Sequence, residues 1–104
     1  MIPGVTHWEG HGTGSNAGVT VTKTAATGKT YFVTHISGFS DKDCYVKLTS
    51  GSTDIAIWKL DLTLTDGSFN FSGLWPITPG SDMVASITTS TSACFLSVCG
   101  FTIP

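Results

Sequence analysis

Residues 44–64 read CYVKLTSGSTDIAIWKLDLTL, and they decide the fold class. In the first seven, Cys44, Val46 and Leu48 fall on one parity and Tyr45, Lys47 and Thr49 on the other. Side chains alternate across a strand with period two, so this run is a half-buried strand. Gly51-Ser52-Thr53 is a tight turn. The alternation then resumes, with Ala56, Trp58, Leu60, Leu62 and Leu64 on one parity and Ile55, Ile57, Lys59, Asp61 and Thr63 on the other. This predicts the longest strand over 54–64, with Trp58, Leu60 and Leu62 buried.

The flanking segments have the same character. Strands are expected near 18–24, 29–38, 43–50, 68–74, 83–89 and 93–103, and no segment has a helical period. The run KTYFVTHISG is apolar on both parities, which predicts a central strand. Asp66-Gly67 is a hairpin signal, and WPITPGSD over 75–82 reads as a rigid loop. Turn signals recur about every 8–12 residues, the mark of an antiparallel sandwich or barrel. The expected fold is all-β, a jelly-roll-like antiparallel β-sandwich of about seven or eight strands over residues 17–104. Residues 1–16, MIPGVTHWEGHGTGSN, hold four Gly and a Pro and read as an extended N-terminal arm.

Composition agrees. Of 104 residues, 17 are Thr, 12 Ser and 12 Gly, while Glu occurs once and Arg is absent. Strong helix formers are scarce, and Thr, Val, Ile and aromatics favour pleated strands. Five Lys and a net charge of −2 argue against a nucleic-acid partner. No apolar run approaches the roughly 20 residues of a membrane span. The first residues lack a basic start followed by an apolar stretch, so no secretory leader is expected. Low charge with many hydroxyls points to a surface covered in an assembly.

Chemistry-bearing motifs are few. His7, Glu9 and His11 stand at alternate positions, so an extended chain puts three metal-ligand types on one side. They lie in a Gly-rich stretch and lack the helical spacing of a zinc protease motif, so no metal is expected. His35 sits mid-strand and reads as a hydrogen-bonded core or interface residue. Thr27-Gly28-Lys29-Thr30 ends like a phosphate loop, but Lys23 occupies the position of the first glycine and a β-rich run follows. Asn70-Phe71-Ser72 matches a glycosylation acceptor by composition alone. Most of the seven acids fall in turns, and no nucleophile-elbow pattern is present. No catalytic residue, cofactor or metal is assigned. Cys44, Cys94 and Cys99 are odd in number and scattered, which reads as three buried thiols from a reducing compartment.

The order of segments carries a resemblance. THISGFSD (34–41), GSFNF (67–71), PITPGSDMVASI (76–87) and the closing GFTI (100–103) together resemble small all-β head decoration, or cement, proteins of tailed bacteriophages, over residues 19–103. The resemblance implies a β-sandwich subunit that trimerises and sits where capsid subunits meet. The implied function is non-enzymatic: a virion structural protein that binds the outer surface of a phage head and stabilises contacts between major capsid protein subunits. The implied location is the capsid surface, after synthesis in the host bacterial cytoplasm. The alternative is a carbohydrate- or receptor-binding β-sandwich module of a phage tail or fibre, stacking sugars on Trp75, Trp8 or Tyr45. A small hydrolase on a sandwich scaffold has the weakest support. The arm is expected to dock on the shell through Ile2, Val5, His7 and Trp8, and Trp75 is a further candidate interface residue.

Overall fold

The computed structural model describes residues 5–14, 18–63, 66–88 and 93–104. Ile2, Asn16 and Leu64 therefore lie outside the described residues. Eight strands follow in order: β1 Thr6–Gly14, β2 Val19–Lys23, β3 Thr30–Ser40, β4 Cys44–Ser50, β5 Thr53–Leu60, β6 Ser68–Pro76, β7 Met83–Ile87 and β8 Cys94–Ile103. They form two four-stranded antiparallel sheets, with orders β1-β8-β3-β6 (sheet A) and β2-β7-β4-β5 (sheet B). This is the strand order of a jelly roll, so the expected class holds.

The core lies between the sheets. Val33, Ile36, Val46, Leu48, Met83, Ala85, Leu96 and Val98 are wholly buried. Each of the larger ones contributes about 1.5–3 kcal/mol through burial. β3 is a central strand of sheet A, but its apolar residues on both parities have a local cause. Tyr31 and Val33 face inward, and after an irregularity at Thr34 the inward residues are Ile36 and Ser40. The extra residue switches the parity and aims His35 outward.

Three expectations change. Residues 6–14 are not a separate arm: β1 pairs with β8 over its whole length, from Thr6↔Thr102 to Gly14↔Cys94. Its alternate glycines face inward. A Cβ on Gly10 would lie 2.9 Å from Val21 Cγ1, and one on Gly12 would lie 2.6 Å from Val19 Cγ2. Glycine here serves close approach between β1 and β2, not looseness.

Asp66-Gly67 does not close a hairpin, because β5 and β6 belong to different sheets. The Asp66 carboxylate accepts from the Ser68 amide, and the Gly67 carbonyl accepts from the Ser40 amide, so the pair turns the chain across the sandwich. β5 stops at Leu60. Leu60 is buried, but Trp58 and Leu62 are only half-buried, since β5 is an edge strand. Trp58 plugs the gap between the edge strands β5 and β6. It stacks on Phe71 at 4.4 Å and 9°, with Trp75 edge-on at 5.4 Å.

Candidate functional site

The face of sheet A turned away from the core gathers the residues with chemical potential. Pairing sets them in rows across β1, β8, β3 and β6. One row runs His7, Phe101, Phe32, Pro76, and the next runs Glu9, Cys99, His35, Ser72. The third is His11, Ser97, Ser37, Asn70, and the last is Thr13, Phe95, Phe39, Ser68. All three histidines of the chain share this face, on two strands far apart in sequence.

Aromatic contacts order the surface. Phe32 and Phe101 stack at 5.0 Å, and His7 stands edge-on to Phe101 at 6.5 Å. His11 stacks on Phe95 at 6.1 Å, and its Nδ1 lies 3.2 Å from Ser97 Oγ. Thr34 at the irregularity ties two strands: its hydroxyl donates to the Cys99 carbonyl at 3.3 Å and lies 3.2 Å from His35 Nδ1. His35 is thus exposed and held by a neighbour, not placed in the core. Phe39, Phe95 and Leu74 remain open to solvent, Leu74 at 60%.

The electrostatics are simple. Glu9 is the single formally charged strand residue on this face. It lies 3.9 Å from His11 Nε2, an exposed pair of little energetic weight. Sheet B's outer face carries Lys47, paired with Asp54 at 3.4 Å, and the exposed Lys59.

His7, Glu9, His35 and Cys99 line a shallow groove of about 540 Å³ with Trp8 and Thr34. The expected sharing of a side by His7, Glu9 and His11 is real, but among the described residues no three His, Cys, Asp or Glu side chains are placed to hold a metal ion. Ser97, His11 and Glu9 follow one another like a nucleophile, base and acid. The His11 and Glu9 side chains are more than half exposed, and the adjacent β8 backbone is engaged in pairing with β1 and β3.

The other candidates are dispersed. Val5 is half-buried just before β1, and His7 is exposed on the outer face. Trp8 points the other way: its ring packs edge-on to Tyr31 at 6.2 Å, with Lys23 Nζ 5.3 Å above it, and its indole nitrogen is buried. It joins a core where none was expected. Trp75 lies on β6, the opposite edge of sheet A from β1, so Trp8 and Trp75 do not form one surface. Thr27-Gly28-Lys29-Thr30 forms the β2–β3 turn and runs into a strand.

Cys44 and Cys94 are buried and Cys99 is half-exposed, so one of the three expected buried thiols is not. Burial pushes the Cys44 thiol above its ordinary value, opposed by a hydrogen bond with Ser40 and reinforced by Cys94 and Asp43.

The outward role of Phe39, Phe95 and Cys99 was missed in the sequence. The signal was the period-two reading of β8, where Cys94, Leu96, Val98 and Gly100 are inward and Phe95, Ser97, Cys99 and Phe101 outward. Compared with known proteins, the chain matches no family model and no curated protein sequence.

Proposed function

We propose that this chain is a non-enzymatic structural protein of a virion, a decoration or cement protein. It binds the outer surface of a phage head as a homotrimer and stabilises contacts between major capsid protein subunits. The observation that carries the reading is the outer face of sheet A, where hydroxyl, aromatic and imidazole side chains surround one formal charge. Such a surface suits burial against protein. Ser and Thr offer hydrogen bonds without the rotamer entropy that Lys or Arg lose on ordering. Many copies on a shell turn modest contacts into large total stabilisation. The resemblance of segments 34–41, 67–71, 76–87 and 100–103 supports the same reading.

Jelly rolls occur in viral capsid and lectin domains alike, so topology favours neither over the other. A sugar platform has less support from the side chains. Trp8 is turned inward, and Trp75 is half-buried against Trp58, which leaves Tyr45 at 46% exposure.

The test mixes the purified chain with phage heads that lack it. Saturable co-sedimentation at a fixed ratio to the major capsid protein, with heads that withstand higher temperature, is expected. Heads that neither bind the chain nor gain stability contradict the reading, and saturable glycan-array binding lost in Tyr45→Ala favours the sugar module.

A further inference from the structure

We infer that the side of the sandwich formed by the edge strands β5 and β6 faces a three-fold axis, where β6 of each copy meets β5 of the next. The inference rests on the homotrimer of the reading above and names the surface that builds it. It leaves the outer face of sheet A free for the shell.

The two sides of the sandwich differ. On the β1–β2 side, Gly10 and Gly12 let the strands close up, and the inward residues Val19 and Val21 are buried. On the β5–β6 side the inward residues are far larger, yet Trp58, Phe71 and Trp75 are only half-buried. Leu74 at 60% and Ile57 at 51%, the most exposed large apolar residues described, flank this same side, one on each strand. Among the described strands β5 and β6 have one neighbour each, so alternate amides and carbonyls on both lack a strand partner.

The topology selects a second copy in a ring. A contact between two unlike edges is heterologous, the kind that closes around a three-fold axis, and both edges here border one side. β6 is antiparallel to β3 and β5 to β4, and the short turn 41–43 reverses the chain between β3 and β4. β5 and β6 therefore run in opposite directions. Rotation about an axis along the strands keeps direction, so β6 of one copy meets β5 of the next antiparallel, with free backbone groups on both edges. Heights also match. Trp58 touches both Phe71 and Trp75, so its neighbour Ile57 stands level with Leu74. The same rotation keeps height and sets Ile57 of one copy against Leu74 of the next.

Area and charge agree. β5 and β6 hold eight and nine residues, about 27 Å of strand, and two sheets about 10 Å apart with their edge side chains make the side about 20 Å wide. Each copy buries about 540 Å² and the trimer about 1,600 Å², the total of a standard specific interface. β6 carries no charged residue. On β5 and β4 the Lys47–Asp54 pair and Lys59 lie beside Ile57 on the outer face of sheet B, where they form a polar rim around an aromatic centre.

The experiment measures the mass of the full chain by analytical ultracentrifugation over a range of concentrations, with circular dichroism to confirm that each variant is folded. Ile57→Lys and Leu74→Lys each place an unpaired charge in the contact and are expected to weaken the trimer about tenfold or more. Thr20→Lys, exposed on the closed side, is the control and is expected to leave it unchanged. The double variant Ile57→Lys/Leu74→Glu sets opposite charges across every contact, and is expected to trimerise about tenfold more tightly than Leu74→Glu alone. An edge that paired with its own copy would set like against like and give no such rescue.

A trimer indifferent to both single lysine variants, or a double variant no tighter than Leu74→Glu, overturns this surface while leaving the homotrimer intact. A wild-type chain that stays monomeric, or stops at a dimer, overturns the homotrimer and this arrangement with it. If Ile57→Lys fails to fold, Leu74→Lys and the charge-pair rescue decide.

Discussion

Trp8 lies across Gly100: a Cβ on Gly100 would come within 2.9 Å of Trp8 Cζ2, and it would also meet the Phe32 carbonyl oxygen. The first, third and last strands are thus fitted together at one glycine. Gly100→Ala must push backbone aside, at a cost of about 1–3 kcal/mol. A melting curve should fall by about 4–8 °C for each kcal/mol lost. A variant that melts with wild type would mean that Trp8 does not pack on this strand.

Gly12 and Val19 make a second such fit, and a double-mutant cycle reads it. Gly12→Ala alone should destabilise by about 1–3 kcal/mol, because its methyl meets Val19 Cγ2 across the sandwich edge. Val19→Ala alone opens a small void. The double variant should be more stable than the sum of the two losses, by about 0.5 kcal/mol or more. Simple additivity would separate the two residues.

Deleting residues 1–14 removes β1 and uncovers one edge of β8 together with Val19 and Val21. The truncated chain should lose about 10 °C or more of melting temperature, or fail to fold. A truncated chain as stable as the full one would restore the arm that the glycines first implied.

Acid weakens a local clasp after β5. The Thr63 hydroxyl and then the Thr63 amide hold the Asp61 carboxyl below its ordinary value of 3.8. A group depressed in the folded state contributes stability above its unfolded value, and that contribution is lost as pH falls through the folded one. Asp61→Asn should therefore melt below wild type at neutral pH, and the gap should narrow below 3.8. An equal gap at all pH values would place the effect elsewhere.

Much of this fold was legible because alternation marks strands, and β2 to β8 each fall on an expected segment. β1 was hidden because glycine signals flexibility in composition but close packing when it recurs at every second position. Trp58 and Leu60 share a parity, yet depth depends on whether the strand is an edge, which alternation cannot express. The site was less legible. Glu9, Cys99 and His35 become neighbours only through the pairings of β8 with β1 and β3, and His35 faces outward because of the irregularity at Thr34. Those are facts of register, not of local sequence.

The central claim is that the chain is a structural component of a phage head. Quantitative mass spectrometry of particles purified from a lysate in which the chain is made tests it most directly. The account predicts the chain in a fixed, high ratio to the major capsid protein, retained through density-gradient purification. Particles that form normally and carry none of it would contradict the account.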